Sequence, residues 1–158
     1  MARVTTNLWF NTEGLDAAEF YVSVFPNSEI RTIHYYRSAG PGPVGSVFLV
    51  DFVLDGQDYT AINGGPHHEF NDAISLLINC ADQAEVDYYW EKLTDGGQEM
   101  QCGWLKDRFG VSWQVVPTAP LADMMSDPDE DRTFRAMQAM FGMKKLDIAA
   151  LRAAADGM

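Results

Sequence analysis

Two short stretches carry residues able to do chemistry. Cys102 lies in Gln101-Cys102-Gly103-Trp104. A thiol becomes a nucleophile when neighbouring positive charge lowers its pKa. Lys106, Arg108 or a helix N-terminus could supply that charge, but no histidine stands nearby in sequence. The competing reading is a small buried residue. His67-His68-Glu69 offers imidazole and carboxylate, the donors a divalent transition metal needs. Adjacent side chains of an extended loop point apart, so one short loop makes a poor three-ligand cage. That stretch reads as a solvated loop edging a pocket, and no metal is expected there. His34 reads as a strand residue with a hydrogen bond. Trp9, Trp104 and Trp113 present flat apolar surfaces on which a small molecule could stack, and core packing accounts for them equally well.

These residues need elements to position them. Gly96-Gly97 stops a helix, 98–104 reads as a strand, Asp107-Arg108-Phe109-Gly110 as a tight turn and 111–116 as a second strand ended by Pro117. Earlier in the chain, 4–10 has strand composition. In 14–25, Leu15, Ala18, Val22 and Phe25 recur at helical spacing. Strands follow at 28–37, 44–54 and 57–63, the last two joined through Asp55-Gly56. Loops of small residues occupy 38–43 and 64–71. Residues 73–80 read as a strand. Asp82 and Glu85 form a capping-box pattern ahead of the stripe Val86, Tyr89, Trp90 and Leu93. Shifting the chain by 68 residues lays Asn11 on Asn79 and Phe10 on Ile78, and strand-helix-strand-strand-strand recurs. Beyond it, Asp127, Pro128 and Glu130 mark a helix start, Phe134, Met137 and Phe141 its apolar stripe, and Asp147 caps a final helix.

Composition limits the partners. With 23 acidic and 11 basic residues the net charge is −12, which repels phosphate backbones and anionic lipid, so no nucleic-acid and no membrane partner is expected. At 47% hydrophobic residues the chain has the material for a core. Cys80 and Cys102 have neither C-x-x-C nor zinc spacing. The N-terminal MARVTTNLWFN has no apolar leader core, so the expected compartment is the cytoplasm with both thiols reduced.

Two such units resemble the vicinal-oxygen-chelate superfamily, that of glyoxalase I, extradiol dioxygenases and bleomycin-resistance proteins. Its PhnB-like branch is the nearer likeness. The residues that carry it are Leu8-Trp9-Phe10, Ala18-Glu19-Phe20-Tyr21, Phe25-Pro26-Asn27-Ser28, Asn63-Gly64-Gly65-Pro66, Phe70-Asn71, Ala73-Ile74-Ser75, and the run from Gln101 to Pro117. The resemblance implies an α+β fold, with two βαβββ modules (about 4–65 and 72–118) forming curved mixed sheets around a cleft. These modules make up a domain over 1–118. Residues 119–158 are then a helical extension, packing on the sheet or on a dimer partner.

Metal-using members of the superfamily take His or Glu from the first and last strand of each module. Carried over, those positions fall near Thr6, near Thr60, at Ile74 or Ser75, and on Gln114. None is His, Cys or Glu, and the nearby carboxylate is Asp58. The resemblance therefore implies a site without metal or other cofactor. It implies a homodimeric small-molecule-binding protein, its cleft walled by Trp9, Trp104 and Trp113 and fixed by Thr60, Asn63, Ser75 and Gln114. The alternative is an enzyme. It would be either a methyltransferase, as the branch's demethylubiquinone methyltransferase label suggests, or a Cys102-dependent catalyst. No Gly-rich strand-to-helix turn stands ready for S-adenosylmethionine. A third reading is a dimeric scaffold in which Met124, Met125, Met137, Met140 and Met143 provide adaptable packing.

Overall fold

The computed structural model describes residues 1–158, which divide into two compact units, 1–70 and 71–158. The first unit runs β1 (Thr6–Phe10), α1 (Gly14–Val24), β2 (Glu29–Tyr35), β3 (Val47–Leu54) and β4 (Gln57–Asn63). Its sheet has the order β1-β4-β3-β2, with β1 and β4 parallel and the other pairs antiparallel. The β3–β4 hairpin turns at Asp55-Gly56, where φ is 48° and 75°. Two successive left-handed residues match the twist of the flanking strands, as the sequence pattern anticipates.

Helix α1 covers one face of this sheet. Its buried residues are Gly14, Ala17, Ala18, Tyr21 and Val24. The expected stripe was Leu15, Ala18, Val22 and Phe25, so the buried face is rotated by about one residue. Ala17 and Ala18 allow a close approach to β3 and β4, and Leu15 is thereby turned off the core.

The second unit repeats the arrangement with β5 (Leu76–Asn79), α2 (Gln83–Thr94), β6 (Gln98–Glu99), β7 (Trp104–Lys106) and β8 (Ser112–Val116), in the order β5-β8-β7-β6. The first and last strands are again parallel. The expected single strand over 98–104 is corrected to two. Cys102 and Gly103 adopt φ of 60° and 81°, which reverses the chain and pairs β6 with β7. The ungapped shift therefore holds for strand and helix only. Phe10 pairs with Asn63 in the first unit, whereas its counterpart Ile78 pairs with Val115 after a much shorter connection. Helix α2 begins as anticipated: Asp82 Oδ1 accepts from Glu85 N–H at 2.9 Å, and Glu85 Oε2 accepts from Ala81 N–H at 2.8 Å.

Three helices complete this unit: α3 (Thr118–Met125), α4 (Glu130–Phe141) and α5 (Ile148–Ala155). They are tied to α2 and to the β6–β7 turn. Gln83 bridges the carbonyl of Leu146 (3.0 Å) and the N–H of Ile148 (2.8 Å), and Lys145 pairs with Asp87 at 2.9 Å. Helix α3 went unread because Pro117 supplies no side-chain cap and Pro120 falls in its first turn. The N-cap of α4 is Asp129, not Asp127. Asp127 instead accepts from Asp129 N–H and pairs with Arg132, and these two interactions hold its carboxyl below the usual carboxylate range. The α4 stripe is also corrected. Phe134 and Phe141 are 62% and 56% exposed, and Ala136 is the buried residue of α4, packed where α5 buries Ile148, Leu151 and Ala155. No helix is long and apolar enough to cross a membrane.

Candidate functional site: a cavity at the start of α1

Parallel pairing brings the C-terminal ends of β1 and β4 to one edge of the first sheet, with Phe10 opposite Asn63. The chain leaves that edge twice, into the Asn11–Glu13 turn that starts α1 and into Gly64-Gly65-Pro66. Strand β3 begins at the same edge, after the 37–46 loop. Between these segments lies a cavity of about 520 Å³. Asn11, Thr12, Leu15 and Asp16 form one side. Tyr36, Val47 and Ser46 form another, with Pro41-Gly42-Pro43 and Asn63 to Pro66 closing it.

Asn63 ties these segments together. It is 8% exposed. Its Oδ1 accepts from Gly14 N–H at 2.8 Å, which satisfies an otherwise orphaned donor of the α1 first turn. Its Nδ2 donates to the carbonyls of Thr12 and Val47, both at 3.2 Å. Its own carbonyl accepts from the Tyr36 hydroxyl. Close packing sets the shape of the walls. A Cβ on Gly14 would lie 2.7 Å from Asn63 Oδ1, and one on Gly64 would overlap the Trp9 indole. Trp9 Nε1 donates to the Gly65 carbonyl at 2.9 Å, and its ring meets His68 edge-on with centroids 4.7 Å apart.

The residues singled out from the sequence are distributed by strand alternation. Asn63 lines the cavity and Trp9 backs it. Thr60 points away from α1 and donates to Asn7 Oδ1 at 2.6 Å. In the second unit, Gln114 Nε2 donates to Ser75 Oγ at 2.9 Å, and Trp104 is the register partner of Gln114. The expectation that all three indoles line one surface is corrected for Trp113. It follows Ser112 and precedes Gln114, so it falls on the opposite face from Gln114. It is 3% exposed, with Nε1 donating to Asp107 Oδ2 at 2.8 Å.

Cys102 sits in the β6–β7 turn, its Sγ 3.6 Å from the Met140 carbonyl and its N–H on Met143 O at 2.8 Å. The cations named as activators have other partners: Lys106 pairs with Asp72 at 3.5 Å and Arg108 with Asp95 at 3.2 Å. The superfamily's metal positions fare no better. The donors there are the hydroxyls of Thr6, Thr60 and Ser75 and the amide of Gln114. All are neutral; Thr60 donates to Asn7, and Gln114 donates to Ser75. They do not fit a divalent transition metal. No group of three or more His, Cys, Asp or Glu side chains is placed to hold one elsewhere. Tyr36 and the 40–43 loop were missed as site residues. The available signal was the pair of Gly/Pro stretches, SAGPGP and NGGP, each bordering a strand end.

The two thiols should differ sharply in reactivity. Cys80 is buried, and its pKa is pushed up to about 12 by burial and then by the Glu85 carboxylate. The folded thiol holds its proton to higher pH than the unfolded one, so Cys80 stabilises the fold less as pH rises beyond about 9. At pH 8 an aromatic disulfide reagent should titrate one thiol, Cys102, in the folded protein. Two should react after denaturation, and Cys102→Ser should abolish the native-state reaction.

Comparison with known proteins agrees with this fold. The family described as 3-demethylubiquinone-9 3-methyltransferase matches residues 2–116. The PhnB protein of Bacillus cereus, whose structure carries the same methyltransferase description, is 34% identical. The match covers 72% of this chain and 97% of that one, with a TM-score of 0.66. Protein PA1353 of Pseudomonas aeruginosa is 19% identical over 72% of this chain and 95% of its own, with a TM-score of 0.59. An Arabidopsis thaliana gene product is 17% identical over 72% and 96%, with a TM-score of 0.50; these last two show likeness of fold alone. No curated protein matches the chain. With the family match spanning most of the chain and 34% identity to the Bacillus protein over 72% of it, the chain belongs to the 3-demethylubiquinone-9 3-methyltransferase family, the PhnB-like branch of the vicinal-oxygen-chelate superfamily.

Proposed function

We propose that this protein binds a small organic molecule, without a metal, in the cavity at the start of α1. The observation that carries this reading is the cavity itself: about 520 Å³, walled largely by Leu15, Val47, Tyr36 and prolines, with few polar groups. That size and lining suit a small ligand. The methyltransferase description is a family name. The three strand-to-helix connections here, Asn11-Thr12-Glu13, Cys80-Ala81-Asp82 and Pro117, lack the glycines that bring a backbone close to a nucleotide-type cofactor. Two further elements of the reading are a homodimer and a cytoplasmic location. The first is supported by the apolar surface left at Ile74, Leu77, Phe134 and Phe141, the second by two unpaired cysteines.

The test is a screen of aromatic fragments followed by amide and indole NMR shifts. Saturable shifts are expected at Gly64, Gly65 and the Trp9 indole N–H, and Leu15→Trp, which fills the cavity, should abolish them. Shifts confined to other regions, or undiminished binding by the Leu15→Trp protein, would overturn the assignment.

A further inference from the structure

We infer that the cavity at the start of α1 selects a small organic cation, an apolar body carrying an amine, with Asp16 as its counter-charge. The inference rests on the reading of that cavity as a ligand site and names the ligand's chemistry. Most polar atoms of the walls are already engaged. The carbonyl of Asn63 accepts from Tyr36, that of Gly65 from Trp9, that of Val47 from Asn63, and that of Pro43 from Ser46. The fixed charge among the lining residues is the Asp16 carboxylate, and no Lys, Arg or His lines the cavity.

The helix dipole argues the other way, because the N-terminus of α1 presents roughly half a positive charge. Glu13 at the N-cap and Asp16 in the first turn set two negative charges against it. No basic side chain among the lining residues offsets them; Arg37 follows Tyr36 but is not itself part of the lining. Residues 1–70 hold three arginines, Arg3, Arg31 and Arg37, against eight carboxylates. Arg31 is itself engaged with Glu29 at 3.3 Å and Asp58 at 3.7 Å. A carboxylate or phosphate placed here would face a net negative field with no cation among the lining residues to hold it. An amine would find the Asp16 carboxylate beside Leu15, with Val47 and the prolines on the other sides.

Three probes on one skeleton test this at pH 7: 1-naphthylmethylamine, 1-naphthalenemethanol and 1-naphthoate, read by the amide shifts of Thr12–Ala17 and Gly64-Gly65. The amine should bind about threefold to fivefold more tightly than the alcohol, as one partly exposed ion pair allows, and the carboxylate most weakly. Added salt should weaken the amine and leave the alcohol unchanged. Asp16→Asn should bring the amine down to the level of the alcohol. Naphthoate binding as tightly as the amine, or an amine preference that survives Asp16→Asn, would overturn the inference while leaving the cavity a ligand site. Shifts from none of the three probes would overturn the ligand-site reading, and this inference with it.

Discussion

Asp107→Ala should destabilise the protein by about 3–5 kcal/mol, the largest stability effect expected of any polar substitution in it. Asp107 is 4% exposed, and its carboxylate serves three donors. Oδ1 accepts from Phe109 N–H at 2.8 Å and from Val111 N–H at 3.1 Å, and Oδ2 accepts from Trp113 Nε1 at 2.8 Å. One side chain thus closes the β7–β8 turn and anchors the indole beneath it. Alanine would strand three donors, two of them on groups the turn cannot expose without opening. An unmade hydrogen bond of a buried donor costs about 1–3 kcal/mol, and some water admission makes the sum less than three full penalties. Urea unfolding followed by tryptophan fluorescence measures this directly. Trp113→Phe removes one of the three bonds and should cost about 1 kcal/mol from that source. Asp107→Asn should fall between, since an amide keeps one acceptor and turns a donor toward donors. A loss below about 1 kcal/mol for Asp107→Ala would show that the turn is held by backbone geometry and Gly110 instead.

The second large effect is expected at Asn63, where stability and ligand binding should fall together. Asn63→Ala leaves the Gly14 N–H without its acceptor and takes a donor from the Thr12 and Val47 carbonyls. The expected cost is about 2–4 kcal/mol. Because the same three bonds hold the α1 start, the β3 start and the β4 end around the cavity, fragment affinity should drop more than about tenfold. Asn63→Asp separates the two roles. It keeps the acceptor for Gly14 but turns a carboxylate oxygen toward two carbonyls. Protonation restores one donor, so the folded-state pKa of the introduced acid is raised. Its variant should therefore gain stability as pH falls, the reverse of an ordinary paired carboxylate. Thermal melts across pH 4–7 would show this. An Asn63→Ala protein that melts like the parent and binds fragments unchanged would remove Asn63 from the site.

The division between sequence and structure follows from the range of the interactions. The α2 start at Asp82 and Glu85, the left-handed turn at Asp55-Gly56 and the stop at Gly96 depend on residues within four positions of each other, so their side-chain types are enough to specify them. The doubled strand-helix-strand order was likewise legible, because each βαβββ unit needs the same local pattern.

Three matters were settled only by tertiary packing. The first is phase. Strand side chains alternate, so a one-residue offset decided that Trp9 backs the cavity whereas Trp113 went beneath the second sheet with Asp107. The second is the split of 98–106 into β6 and β7, which depends on Met143 and Lys144 accepting the N–H groups of Cys102 and Gly103 from some 40 residues away. The third is the cavity. Its walls come from segments far apart in sequence, brought together by the parallel β1–β4 pairing and held by one buried asparagine. By itself the sequence determined which units form. Which side chains share a space was decided by long-range pairing, because no local pattern encodes it.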